Sequence, residues 1–242
     1  MKKRILIVSH ERSGTHFLLN SIGLNFNRPF QPIGIGKELS GGPMAEERFS
    51  QEEMRDFLDS SRFLQECGGV NKFSPPDQML KSHHDVDFHG LSKDVLKEKY
   101  YVFYIYRECK DVLTSMYYYF NLHKEVYPWT EDVSDFCLTL KYKNDEYLSQ
   151  EYNNFVERWK IHTDGWLSSK IPDKVISYEE LSFHFDDVIH EIGEIIEEAP
   201  KKIARPKLGE FVHSYPRKGI VGDWENLMSE EVANKIDSLI CV

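Results

Sequence analysis

Ile5-Leu6-Ile7-Val8-Ser9-His10-Glu11-Arg12-Ser13-Gly14-Thr15-His16-Phe17-Leu18-Leu19-Asn20-Ser21-Ile22 reads as strand, loop and helix. Ile5 to Val8 is a short, uninterrupted apolar run rich in β-branched residues, the pattern of a strand covered on both faces. His10 to His16 is polar with one glycine, and apolar spacing suited to a helix resumes at Phe17. The first turn of a helix presents unpaired N–H groups and a partial positive charge, so a loop leading into one is a natural anion site. The G-x-x-x-x-G-K-[ST] pattern of ATP-binding loops is absent, so the segment reads as a P-loop-like phosphate-binding loop serving another nucleotide.

The rest of the chain repeats the alternation. Tyr101 to Tyr106 is a strong strand candidate and Val175-Ile176 a short one. Helices are expected from about Ser50 to Leu64, from a Ser92 cap to about Lys99, and over Val112–Phe120, Tyr152–Leu167 and Phe185–Glu197. The Pro/Gly-rich stretch from Pro29 to Pro43 reads as a long loop, and Phe73-Ser74-Pro75-Pro76 as a second break. Strands alternating with helices imply an α/β fold, a three-layer αβα sandwich with a mainly parallel central sheet, here one domain over residues 1–242. Ligands of such sheets bind beyond the carboxyl ends of the strands, where Arg12, Lys81 and Arg107 are expected to converge.

Composition narrows the partners. A formal net charge of −10 over 242 residues argues against nucleic acid, which calls for a broad basic face. It leaves room for an anionic nucleotide gripped by local cations. Cys67, Cys109, Cys137 and Cys241 form no C-x-x-C pair and suggest no disulfide framework, in keeping with a reducing, cytoplasmic location. The apolar run after Met1-Lys2-Lys3-Arg4 is too short for a signal-peptide core, and no run reaches membrane-helix length, so no membrane partner is expected.

A second cationic segment lies near the C-terminus, Arg217-Lys218-Gly219-Ile220-Val221-Gly222-Asp223-Trp224. Two adjacent cations before a glycine set charged donors beside a backbone that can approach a ligand closely. On chemistry alone this is either a phosphate clamp or a basic surface turn.

Taken together, the two segments resemble the sulfotransferases that use 3′-phosphoadenosine 5′-phosphosulfate (PAPS). Arg12-Ser13-Gly14-Thr15 is similar to that family's loop around the donor's 5′-phosphosulfate, and Arg217-Lys218-Gly219 to its grip on the 3′-phosphate. Between them, in the family's order, stand Lys81-Ser82-His83, similar to the segment supplying the catalytic base, and Tyr104-Ile105-Tyr106-Arg107 through Lys110-Asp111-Val112 to Ser115, similar to the strand-to-helix segment whose Arg and Ser hold the 3′-phosphate. Ile176-Ser177-Tyr178-Glu179-Glu180-Leu181 is a weaker match whose tyrosine would lie near the adenosine. The resemblance runs from about Ile5 to Trp224.

What it implies is a transfer of the sulfuryl group of PAPS to a hydroxyl or amine, releasing 3′-phosphoadenosine 5′-phosphate (PAP), without a metal. His83 would be the general base, since imidazole titrates near neutrality. His84 is its rival, and His16 lies in the same neighbourhood. Lys81 and Arg12 would face charge gathering on the bridging and phosphate oxygens, with contacts worth on the order of 1.5–3 kcal/mol each. Ser13, Gly14, Thr15 and His16 would line the 5′-phosphate. Arg107, Ser115, Arg217, Lys218 and Gly219 would surround the 3′-phosphate, with Phe17 and Tyr178 beside the adenosine; Trp224 is expected as a core anchor.

Several positions depart from the cytosolic members of the family. Glu11 stands where they usually have proline, and an acid beside a phosphate is repulsive unless it points away. His16 replaces a residue that often carries a phosphate-binding hydroxyl, and Phe17 a tryptophan that stacks on adenine. The interval from Tyr178 to Arg217 is short, and no C-terminal dimerisation pattern follows Trp224, which leaves the oligomeric state open. The acceptor walls are expected in Phe30–Phe73 and Leu122–Tyr147, and their mixture of aromatic and charged residues suits a small-molecule phenol or alcohol as well as a glycan. Two other classes fit parts of the pattern: another P-loop-type transferase such as a nucleotide kinase, and a PAP-binding protein without activity.

Overall fold

The structure, a computed structural model, describes residues 3–26, 28, 33–34, 79–86, 93–141, 152–207 and 218–241. Five strands, β1 (Arg4–Ser9), β2 (Ile33–Gly34), β3 (Leu80–Ser82), β4 (Tyr100–Tyr106) and β5 (Lys174–Ser177), form one sheet in the order β2-β3-β1-β4-β5. Every pairing is parallel. Around the sheet run α1 (Thr15–Phe26), α2 (Lys93–Lys99), α3 (Cys109–Leu122), α4 (Val133–Leu138), α5 (Phe155–Ser168), α6 (Tyr178–Phe183), α7 (Phe185–Ile195) and α8 (Glu230–Ile240), with a 3₁₀ turn at Asp223–Asn226 before α8.

The pleat sorts the strand side chains between two layers. Ile5, Ile7, Phe103, Ile105 and Ile176 pack on one face against Leu18, Leu19 and Ile22 of α1, Leu181 of α6 and Val188, Ile189 and Ile192 of α7. On the other face the ring of Tyr104 stacks on Trp166 of α5, centroids 5.7 Å apart and nearly coplanar. Beyond α5 a second core joins Val112, Leu113 and Met116 of α3, Phe136 of α4, Phe155 and Trp159 of α5, and Val232 and Ile236 of α8. The expected three-layer α/β architecture is thus borne out. Among the described residues no helix is long and apolar enough to cross a membrane.

Register brings the chemistry to one edge. Val8 lies opposite both Ser82 and Tyr104, and Tyr106 opposite Ser177. The residues following these strand ends, His10–Gly14, His83, Arg107 and Tyr178, therefore emerge side by side at the carboxyl edge of the sheet.

The structure corrects several expected bounds. The stretch from Pro29 to Pro43 is not all loop, because Ile33–Gly34 pairs with Leu80–Lys81 as β2. Helix α3 begins at Cys109 rather than Val112, since the Glu108 carboxylate accepts the Asp111 N–H at 2.9 Å and caps the turn. Helix α7 stops at Ile195, before Glu197 enters the left-handed region at φ 57°. Helices α4, α6 and α8 were not anticipated, although Ser177 and Glu180 form a reciprocal capping box ahead of α6. The expected helix over 50–64, the break at 73–76 and the Ser92 cap lie outside the described residues.

The exit from α7 locks the far end of α1. Glu198 N–H donates to Gly193 O at 2.9 Å, the Glu198 carboxylate pairs with buried Arg28 at 2.7 Å, and Asn25 bonds Ala204 in both directions. A Cβ on Gly193 would stand 2.7 Å from the carbonyl oxygen of Glu198. Gly193→Ala is therefore expected to lower stability by about 1–3 kcal/mol, the usual cost of overpacking against backbone, read as a lowered urea midpoint.

Candidate active site

The loop between β1 and α1 is built on unusual backbone. Arg12 sits at φ 64° and Gly14 at φ 98°, and Ser13 N–H closes the turn onto His10 O at 3.3 Å. At Gly14 a side chain is doubly disfavoured, since φ lies in the region L-residues avoid and a Cβ would fall 2.5 Å from Cδ2 of Tyr178. The Thr15 and Ser9 hydroxyls share a hydrogen bond of 2.5 Å that ties the helix start to the strand end. Among the described residues the buried Ser13 hydroxyl has no hydrogen-bond partner. A helix N-terminus behind a tight Gly turn with an unsatisfied buried hydroxyl suits an oxyanion.

Two arginines converge here. Arg12 Nε donates to Ser115 Oγ at 3.1 Å, and its guanidinium lies 4.6 Å over the Tyr119 ring. Arg107, nearly buried at 8% side-chain exposure, donates to Ile220 O at 2.6 Å, pairs with Asp111 at 3.2 Å and lies 4.4 Å over Tyr178. Its buried Nε has no hydrogen-bond partner among the described residues. The Tyr178 hydroxyl donates to Gly219 O at 3.0 Å, and the Asp111 carboxylate accepts N–H groups from Gly222 at 2.8 Å and Trp224 at 3.2 Å. The segment from Lys218 to Trp224 is thereby pinned to the β4–α3 corner. Lys218, half exposed, reaches Asp223 at 3.3 Å. Trp224 packs on the second core, with Lys110 Nζ 4.4 Å over its ring. Arg217 lies outside the described residues.

The histidines separate clearly. His83 Nδ1–H donates to Ser9 O at 2.9 Å, which leaves the lone pair on Nε2. Burial pushes its pKa below the ordinary value; Glu11 partly offsets this, while Lys81 and Arg158 add to the lowering. His84 is buried, its Nδ1 3.1 Å from Ser82 Oγ and its carbonyl taken by Trp166 Nε1 at 3.0 Å. His16 is partly buried on the first turn of α1, and Lys81 partly buried on β3. Phe17 lies 5.7 Å from Tyr178 and 6.2 Å from Phe185, ring to ring, with the Arg205 guanidinium 5.2 Å above it.

The Glu11 carboxylate lies against Arg158 and His10. Its side chain is 14% exposed and ends 3.5 Å from Arg158 Nη2 and 3.6 Å from His10 Nε2. Burial alone would raise its pKa, but the charge of Arg158 prevails, aided by His10 and His83, and holds it below the ordinary value. Arg158 is wholly buried, bonds the Asp85 carboxylate and donates to His83 O at 3.0 Å, while Tyr152 donates to Asp85 at 2.6 Å. Arg158, Asp85, Asp111, Ser9 and Tyr119 were missed as site residues. Arg158 left a signal, a charge spaced with Phe155, Trp159, His162 and Trp166 on what is otherwise the buried stripe of α5.

The whole chain, residues 2–241, matches the sulfotransferase domain family. The chain belongs to that family, and the resemblance read from its motifs holds at that level. No curated protein sequence matches it. Among solved structures it is similar in fold to mouse sulfotransferase SULT7A1 complexed with PAP, at 19% identity and a TM-score of 0.62 over 99% of this chain and 83% of that one. Retinol dehydratase in complex with retinol and PAP aligns at 16% identity and a TM-score of 0.57 over 99% and 80%. A sulfotransferase from Alicyclobacillus acidocaldarius aligns at 14% and 0.55 over 100% and 92%.

Two consequences can be measured. Gly14→Ala should lose binding of PAP in calorimetry, because the loop must rebuild to seat the new side chain. Acid sensitivity should also appear. His10 is buried, and that burial with the Arg158 charge takes its pKa from 6.5 to about 4 despite Glu11; burial likewise takes His162 well below its ordinary value. Such groups bind a proton more readily unfolded than folded. Stability is then full above about pH 6.5 and falls as pH drops towards about 4, by roughly 3 kcal/mol from His10 alone. Urea midpoints measured across that range should fall with pH in the native protein and less so in His10→Asn.

Proposed function

We propose that the protein moves the sulfuryl group of PAPS onto a hydroxyl or amine of an acceptor, by in-line displacement with His83 as general base, within one sulfotransferase-like domain over residues 1–242. The observation that carries this is the meeting of Arg12, Ser115, Arg107, Tyr178, Gly219 and His83 at one sheet edge, although their positions in sequence span most of the chain. The residues present fit the nucleotide: the Gly14 cradle closes if a Cβ is added, and Ser13 Oγ and Arg107 Nε are buried donors still to be satisfied. PAPS supplies an activated sulfuryl group and leaves as PAP.

In this reading Ser13, Gly14, Thr15 and His16 hold the 5′-phosphate with the α1 N-terminus. Arg107 and Ser115, with Arg217, Lys218 and Gly219, hold the 3′-phosphate, and Phe17 and Tyr178 flank the adenine. His83 accepts the acceptor's proton on Nε2, its tautomer set by the bond to Ser9 O. Arg12 and Lys81 face the charge left on the departing phosphate. Retinol dehydratase, one of the similar structures, was solved with retinol and with androsterone, which supports a small-molecule acceptor; a glycan remains the other class to screen.

Calorimetry with PAP, 5′-AMP and ATP·Mg²⁺ tests the donor, since the first two differ only in the 3′-phosphate. Charge-assisted contacts of 1.5–3 kcal/mol predict PAP binding at least about tenfold tighter than 5′-AMP. Equal affinities would remove the donor assignment, and a preference for ATP·Mg²⁺ would point to a kinase. With PAPS and a panel of phenol, alcohol, amine and glycan acceptors, His83→Ala should keep PAP affinity and lose about 10²–10⁴-fold in turnover. A protein that binds PAP but transfers to nothing in the panel would favour the inactive binder.

A further inference from the structure

The carboxylate of Glu11 occupies a place that the sulfuryl-transfer reading leaves unexplained. It stands one residue before Arg12 in the phosphate loop, yet it faces inward, 3.5 Å from the Arg158 guanidinium that also donates to the carbonyl of His83 at 3.0 Å. The imidazole of that residue is fixed separately, by Nδ1–H donating to Ser9 O at 2.9 Å. His83 is thus clamped between the last residue of β1 and a guanidinium of α5, and Glu11 pairs with that guanidinium.

We propose that Glu11 is a positioning residue for His83, holding the Arg158 clamp and supplying the negative charge that lets the imidazole take up a proton. The proposal rests on His83 being the base. In the step concerned, the acceptor's proton passes to His83 Nε2 while the electron pair left on the acceptor atom forms the new bond to sulfur and the departing phosphate keeps the old bonding pair. The imidazole becomes a cation in surroundings already rich in charge. Around it stand His10 and Glu11 from the loop after β1, Lys81, His84 and Asp85 from its own segment, Arg158 and His162 from α5, and Tyr104 from β4. Lys81 and Arg158 oppose a third positive charge. Asp85 is engaged by Arg158 and Tyr152, which leaves Glu11 as the carboxylate that offsets both cations at His83. A proline or amide at position 11 would keep the loop but not the charge.

The test is a histidine side-chain NMR titration of the ¹⁵N-labelled full chain saturated with PAP, with the His83 signals assigned by their loss in His83→Ala. In Glu11→Gln the His83 midpoint should move to lower pH, and in Glu11→Asp, whose carboxylate is drawn back by one methylene, it should fall between the two. The ¹⁵N shifts should report Nδ1–H in the native protein, and PAP affinity should stay within about twofold because the Glu11 carboxylate is paired with Arg158. Midpoints that coincide in native protein, Glu11→Gln and Glu11→Asp would overturn the proposal; if Glu11→Gln does not fold, Glu11→Asp against native protein decides alone. Failure of the base assignment would look different: His83→Ala would turn over PAPS and acceptor as the native protein does, whatever the titration gives. With that assignment intact, Glu11→Gln should lower turnover on the order of tenfold.

Discussion

A single buried guanidinium organises the catalytic edge of this protein. Arg158 has no solvent exposure, and a cation without water is tolerated only where anions and carbonyls surround it. Here Asp85, Glu11 and the carbonyl of His83 do so, from two segments, the loop after β1 and the stretch after β3. Loss of one member would strand the others in low dielectric, at roughly 3–5 kcal/mol for a broken buried pair. Because the arginine projects from α5, between the Trp166 that packs on Tyr104 and the Phe155 of the second core, its position is set by the most apolar parts of the fold. Hydrophobic packing thus fixes where the charge sits, and the charge holds the Glu11 loop and the His83 carbonyl.

Asp111 performs the matching task on the other flank. One carboxylate accepts two backbone N–H groups from the segment around Gly222 and pairs with Arg107. The segment has few regular-structure contacts of its own, and Gly222, at φ 81°, has open space around it. Its location therefore comes from a polar anchor together with the packing of Trp224 on the second core. Arg107, which the resemblance implies as a 3′-phosphate ligand, pairs with Asp111, and its buried Nε has no hydrogen-bond partner among the described residues. The two roles are compatible.

Much of this was legible in the chain because period and turn chemistry carry local structure. Ile5 to Val8 and Val102 to Ile105 lie buried on both faces, so their runs are almost continuously apolar and hard to misread. The turn between β1 and α1 was legible for a similar reason, since Gly14, at φ 98°, answers a backbone need that few sequences pose. What could not be read is what depends on partners far along the chain. The Asp85–Arg158 and Asp111–Gly222 contacts join residues whose local surroundings give no hint of each other. The short helices α4 and α6 fell below the length at which helical period can be counted, and only the Ser177–Glu180 box marked the second. Glu11 was legible as an anomaly, but its direction was decided by Arg158.

The chain's net charge of −10 and its reading as a binder of a polyanion are reconciled by the same local logic. The cations at the sheet edge are already held by neighbours: Arg12 by Ser115 and Tyr119, Arg107 by Asp111, Tyr178 and Ile220 O, Lys218 by Asp223. Such contacts weaken no site that must grip a phosphate, because they fix the side chains before the ligand arrives and so spare it the entropy of ordering them. Neutral partners such as a ring face, a hydroxyl and a carbonyl orient a guanidinium without cancelling its charge. Asp111 shares its oxygens between Arg107 and the N–H groups of Gly222 and Trp224, and Glu11 pairs with Arg158. An acidic protein can then concentrate cations over a few residues, since the carboxylates among them, Asp111 and Asp223, serve to hold Arg107 and Lys218 in place.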